Sequence, residues 1–337
     1  MTPEELGLTQ NDTTKDIMVS GKCVGNILEQ CAVGIEVCRS LSYDNISAEN
    51  MQTASQILAT YIPILQSLQC IGRTAPLLAQ IFQIRCGNSY HLEDKEATLA
   101  YGEEAVRYAR LANDANLLAA TLHELAGIHQ WPLPGLCLQQ RHRKALEIGE
   151  EMIRVAVPLN MQAWHHAGYA RFQAMNGLKQ DAYTSLGKAN EALGRDNLYY
   201  PDNLYYKRKW TTPVELIAVI RHAAIAYSYL GEQSKAVSEF LKIVTISDSN
   251  VELATTMSDR MRVCLLSETL YSTLRLPMPK KDKDLSVILW KASLAKALEL
   301  RSTTYFNEAQ MNLHTMECIW PDDAEITDLR DLLVPWE

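Results

Sequence analysis

The sequence predicts an all-α protein, an array of antiparallel helix pairs stacked into a superhelix, with degenerate repeats and an aromatic-basic insertion. Three observations carry this expectation. Apolar residues recur at helical spacing in short runs separated by polar breaks, and strand-like alternation with hairpin turns is scarce. Two glycine bends are flanked by small and large apolar residues in matching order. A composition of 47% hydrophobic and 21% charged residues leaves ample material for a buried core.

The elements follow in order. Residues 1–20 are polar and poorly periodic, and they are expected to form a flexible segment before an ordered start near Gly21. Residues 21–94 form an N-terminal helical region. Val24 to Leu41 reads as one helix, and a second begins after Ser47, with Met51, Ala54, Ile57, Leu58, Tyr61 and Ile62 at helical spacing. Pro63 is placed to kink that helix, because it lacks an amide donor and crowds the preceding turn. Helical spacing resumes from Leu77 to Ile84.

Residues 95–194 hold repeat-like helices. Ala97, Tyr101, Ala105 and Tyr108 share one face before a break at Asn113-Asp114, and Leu117 to Ile128 forms the next helix. Residues 195–213 form the insertion, and residues 214–337 a C-terminal repeat-like region. Within the latter, Asp322-Asp323-Ala324-Glu325 reads as the capped start of a final helix rather than a magnesium-binding acidic motif, since no complementary metal motif accompanies it.

Two segments are more specific. Tyr169, Ala170 and Gly177 precede Ala182, Leu186 and Ala189; Ala223, Ala224, Tyr227 and Gly231 precede Ala236, Phe240 and Ile243. Glycine at the bend permits an unusual torsion, alanine lets the next helix approach, and the larger residue fills the groove. These units resemble tetratricopeptide repeats, whose period is ~34 residues. The resemblance implies a right-handed superhelix with a concave inner surface that binds partners. Residues 217–250 taken as one repeat predict a first helix from Ile217 to Tyr229 and a second from Glu232 to Ile243. From about residue 50 to 334 the chain is also similar to helical-repeat sensor regions of bacterial helix-turn-helix regulators and signalling ATPases. Ala115-Asn116-Leu117-Leu118 and the Trp320-Pro321 break carry that likeness.

Registering the repeats places Trp164, Ala167, Arg171 and Ala174 on the inward surface of one helix, with Ala218, Arg221, Ile225 and Ser228 on its counterpart. Trp164 beside Arg171 and Arg221 suits an acidic peptide or an aromatic ligand, because guanidinium directs hydrogen bonds to carboxylates and indole supplies contact area. The competing reading is that Trp164 seals the array while the arginines form local salt bridges. The insertion repeats Asn-Leu-Tyr-Tyr, giving Tyr199, Tyr200, Tyr205 and Tyr206, and then reaches Lys207, Arg208, Lys209 and Trp210. It is a candidate lid over a peptide or small ligand; a loop folded over the repeats is the plainer alternative.

Several function classes lack support. A formal charge of -8 disfavours direct nucleic-acid binding. No stretch reads as a signal peptide or a membrane span, so a cytoplasmic location is expected. His123-Glu124 has Gly127 where a zinc-binding helix needs its second histidine, and the adjacent His165 and His166 diverge around a helix, so the histidines are assigned to packing. The eight cysteines are expected as buried thiols, and no nucleotide or nicotinamide motif is present. The leading expectation is therefore a scaffold or sensor for a protein, peptide or small-molecule signal, without cofactor or metal. The alternative is a helical enzyme with an unconventional active site in the superhelix cavity.

Overall fold

The computed structural model describes residues 10–43, 47–68, 70–130, 136–194, 212–247, 250–253 and 258–334. In chain order the helices are α1 (Gln10–Tyr43), α2 (Ala48–Ser67), α3 (Ile71–His91), α4 (Lys95–Ala112), α5 (Ala115–Ile128), α6 (Leu138–Arg154) and α7 (Leu159–Met175). They continue as α8 (Lys179–Gly194), α9 (Thr212–Tyr229), α10 (Gln233–Phe240), α11 (Asp259–Leu274), α12 (Lys283–Glu299), α13 (Thr303–Ile319) and α14 (Ala324–Asp328). Between α10 and α11 lies one antiparallel ribbon, β1 (Val244–Ser247) with β2 (Asn250–Leu253), in which Val244 faces Leu253. The protein is thus all-α apart from this ribbon among the described residues.

Most helix starts follow local side-chain chemistry. Ser47 Oγ accepts from the Asn50 amide at 3.1 Å, and Asp94, Asp114 and Asp282 accept in the same way from Ala97, Leu117 and Leu285. Asp323 Oδ1 accepts from the Ile326 amide and its other oxygen pairs with Lys283 at 3.1 Å, so the acidic group caps α14 as expected. Asn113 ends α4 with φ 54°, and Gly177 and Gly231 turn the two repeat-like bends with φ 74° and 77°. Only glycine enters that region without penalty.

Several boundaries differ from the sequence reading. Helix α1 extends upstream of Gly21, and α2 runs through Pro63 without ending. Helix α10 stops at Phe240 rather than Ile243. The β-branched run Ile243-Val244-Thr245-Ile246 suits extended chain better than helix, and it forms the ribbon that the sequence reading did not include. Cys31, Cys38 and Cys86 are buried thiols, whereas Cys23, Cys137 and Cys318 are exposed.

Packing divides the helices into two layers. Adjacent helices pack against one another, and in addition α3 meets α5, α5 meets α7, α7 meets α9, α9 meets α11 and α11 meets α13. The two ends of this inner series then touch. Met51, Val263, Ala297, Leu300 and Tyr305 form one buried cluster with Leu92. Thr304 Oγ1 donates to the His91 carbonyl at 3.5 Å, Asn307 donates to Glu93 at 3.0 Å, and the His91 and Tyr305 rings lie 5.5 Å apart. The odd-numbered helices from α3 to α13 therefore close a circuit of contacts.

This explains an otherwise odd pattern of burial. Helix α5 buries Leu117, Ala119, Ala120, Thr121, Leu122, His123, Leu125, Ala126, Gly127 and Ile128. A helix buried on nearly all sides belongs between layers, not on the surface. Outer helix α6, by contrast, buries one stripe of Arg141, Ala145, Ile148, Gly149 and Met152. Small residues set the spacing within the array: Ala163, Ala167, Ala189, Ala192 and Val219 form one contact, and Ala170, Ala174, Ala182, Leu186 and Ala226 another.

Candidate functional site

The inner helices carry three buried imidazoles and a half-buried indole that meet across the circuit. Helix α5 contributes His123, α7 contributes Trp164 and His165, and α9 contributes His222. The Trp164 and His123 rings stack at 4.0 Å with an interplanar angle of 17°. His123 Nδ1 lies 3.3 Å from His165 Nδ1, and His123 Nε2 lies 3.2 Å from His222 Nε2, which also accepts from Trp164 Nε1 at 3.2 Å.

Indole only donates, so His222 Nε2 must be the bare nitrogen and its proton sits on Nδ1. His123 then donates through Nε2, and its Nδ1 shares a hydrogen with His165 Nδ1. His165 and His222 are neutral in this chain. Burial pulls the His165 pKa down to about 3, with His166 adding to the effect; burial, then Arg171, lowers His222 well below the ordinary range. Because His123 presents opposite ring nitrogens to its two partners, the three imidazoles do not face a common point. No metal-binding cluster occurs among the described residues.

Gly168 makes this packing possible. A Cβ on Gly168 would lie 2.3 Å from His123 Cε1, so the imidazole rests directly on the α7 backbone. Trp164, one turn earlier on α7, stacks on the same ring and limits where it can shift. Gly168→Ala is therefore expected to destabilise the protein by about 1–2 kcal/mol, overpacking outweighing the helix-propensity gain. Chemical unfolding of the two proteins measures it; equal or greater stability of the variant contradicts the packing described.

One helical turn along α7 and across to α11 the chemistry becomes ionic. Arg221 on α9 forms a two-pronged pair with Glu268 on α11, Nε to Oε2 at 2.7 Å, and its Nη2 also reaches Cys264 Sγ at 3.2 Å. Cys264 donates to Glu268 at 3.4 Å, and burial pushes its pKa up to about 12, so it is a thiol at neutral pH. Ser267 donates to Glu308 at 2.6 Å; burial raises that carboxyl's pKa. Tyr90 and Tyr305 stand beside this group, with pKa values raised by burial.

Arg171 is different. It is 4% exposed, and its Nε has no hydrogen-bond partner among the described residues. Burial and then the Arg221 cation pull its pKa down to about 9, which still leaves it charged at neutral pH. Glu268 is the leading carboxylate acting on it, and that carboxylate is already engaged by Arg221 on both oxygens. A buried cation left in this state is costly unless something neutralises it.

Of the residues expected at the site, Trp164, Arg171 and Arg221 do occupy neighbouring positions on inner helices. Trp164 is tied to His222, and Arg221 forms a salt bridge, as the packing alternative for it held. Ala167 and Ala174 serve helix packing instead of facing a groove. Tyr199, Tyr200, Tyr205, Tyr206, Lys207, Arg208, Lys209 and Trp210 lie outside the described residues. Sequence reasoning assigned His123, His165 and His222 to packing without bringing them together, and it missed Glu268 and Glu308, because nothing in their spacing reports a meeting across three or more helices. The surface depression lined by Pro279, Lys280, Lys281, Asp282, Lys283 and Asp284 is remote in sequence from all of them. No protein-family model matches the chain, and no curated protein matches it either.

Proposed function

We propose that the protein is a helical-repeat binding scaffold or sensor of tetratricopeptide type, which takes a peptide, a protein segment or a small signal against its inner helices. The observation that carries the reading is Arg171, a buried guanidinium whose Nε has no hydrogen-bond partner among the described residues, set beside a chain of buried histidines. Binding sites commonly combine an enclosed, largely apolar setting with a few convergent polar groups. Cys264, held as a thiol between Arg221 and Glu268, has the surroundings of a structural cysteine rather than of a nucleophile. Among the described residues no helix is long and apolar enough to cross a membrane.

Hydrogen exchange read by mass spectrometry tests the reading, using peptide and metabolite libraries prescreened by thermal shift. Stabilising ligands are expected to slow exchange in α7 and α9. Protection confined to the outer helices α6, α8 and α10 would refute it, as would the absence of any stabilising ligand.

A further inference from the structure

We infer that the outer groove between α1 and α2 is the contact face of a two-fold dimer, and that its occupant is a second copy of this chain. One contact sets the geometry of that groove: Gly34 of α1 lies against the Tyr61 ring of α2. Residues three or four positions apart share one side of a helix. Gln30 and Val37 therefore flank Gly34 along α1, while Ile57 and Ile64 flank Tyr61 along α2. Val33 adjoins them on the outward side of α1. The sides turned to the core are different residues, Cys31, Ile35 and Cys38 on α1 and Leu58 and Leu65 on α2, which cluster with α3. The apolar side chains of the groove are open to solvent: Val33 is 62% exposed, Val37 54%, Ile64 42% and Ile57 37%.

Their immediate surroundings on α2 are uncharged. After Glu49 in its first turn α2 carries no charged residue, whereas the chain's 21% charged composition would place about four in a helix of 20. Gln30, Thr53 and Thr60, exposed beside these apolar residues, are neutral as well. On α1 the exposed acids Glu29 and Glu36 mark the edge away from α2, and Glu36 pairs with Arg39 at 3.3 Å. An apolar centre without charge, bordered by charge at its edge, is the composition of a protein–protein contact rather than of a solvated helix face.

Three arguments make the partner a second copy. Two helices side by side are ~20 Å wide and α2 is ~30 Å long, so a like face laid on this one covers ~600 Å² on each copy. The total of ~1,200 Å² reaches the size of a specific interface. A formal charge of -8 makes two copies repel, and an uncharged face is where they approach with least repulsion. A basic partner would instead be met by acidic residues, which the centre of this face lacks. Two such helix pairs related by a two-fold axis present the same groove to each other, and together they close a four-helix bundle around Val37, Ile57 and Ile64.

Sedimentation equilibrium of the full chain from about 1 to about 100 μM is expected to show a monomer–dimer equilibrium. Added sodium chloride should tighten it, because salt screens the like net charges and finds no ion pair at the centre to weaken. Val37→Glu and Ile57→Glu each place one unpaired carboxylate per copy in the closed bundle, and each should raise the dimer Kd at least about 100-fold. Met311→Glu, at a 63% exposed apolar position on α13, should leave it unchanged. Hydrogen exchange of the wild-type protein at the two ends of that concentration range needs no variant, and protection should rise with concentration in α1 and α2. The inference is overturned by a monomer at every concentration, by assembly that continues past the dimer, by a dimer that salt dissociates, or by one that survives in either glutamate variant of the groove. Concentration-dependent protection outside α1 and α2, or loss of the dimer in Met311→Glu, would also overturn it.

Discussion

Acidification from about pH 7 to about pH 4.5 is expected to remove a large part of the protein's stability. In the unfolded chain a histidine takes up its proton near 6.5, whereas in the folded protein burial holds His165 to about 3 and His129 to about 4. His91 and His222 are lowered well below the ordinary range by burial, with Arg260 and Arg171 respectively as the leading charged contributors. A folded-state pKa below the unfolded one means that the unfolded chain binds more protons across that window. Stability is then complete above about 6.5, falls as pH drops, and levels only below the folded value. For His165 alone the loss by about pH 4.5 is on the order of 3 kcal/mol. Several such groups together are comparable with the ~5–15 kcal/mol by which domains are stable. Glu308, whose pKa burial raises, works in the opposite sense and offsets part of this. Urea unfolding followed by circular dichroism at stepped pH measures the effect, and a midpoint independent of pH across this window would contradict it.

Trp290→Ala should be the most damaging single truncation in the C-terminal part of the array. The indole is fully buried among Leu266, Leu270, Leu294, Phe306, Leu313 and Met316, and its Nε1 donates to the Ala309 carbonyl at 2.8 Å. Truncation removes that bond and leaves a cavity between α11, α12 and α13, at a cost of about 3–5 kcal/mol. Helix α11 holds Glu268 and Cys264, and α13 holds Tyr305 and Glu308, so loosening them should also disturb the ionic side of the inner circuit. Unfolding in urea measures the loss. A cost below about 1 kcal/mol would mean that the core is not packed around this ring.

Much of the helical layout was legible from local chemistry. Ser47 announced α2 by its capping hydroxyl, Asn113-Asp114 marked the turn between α4 and α5, and Gly177 and Gly231 marked bends that do adopt left-handed torsions. These features act over three or four residues, which is the range that sequence spacing reports. The β1–β2 ribbon was missed because helical periodicity in α10 was carried on into the β-branched run at Ile243.

The site was only half legible. Repeat register found Trp164, Arg171 and Arg221, because it reports which face of a helix turns inward. It gave no sign that α13 returns to α3, since contacts such as Thr304 with His91 join residues at opposite ends of the chain. Nor did it reveal the histidine chain, whose members are buried by closure of the circuit rather than by their own helices. One signal was present: Ala119-Ala120-Thr121-Leu122-His123 offers no polar stripe, and a histidine in such a stretch has to find its partner indoors.

Long-range proton–nitrogen spectra of the histidine side chains, recorded through a pH titration of the full chain, test the central claim most directly. That claim is that α5, α7 and α9 enclose one chain of imidazoles ending on Trp164, with His165 and His222 neutral. The account predicts that His222 carries its proton on Nδ1, that His165 titrates at about 3, and that His222 titrates well below the ordinary histidine range. A proton on His222 Nε2, or titration of either residue near 6.5, would contradict it.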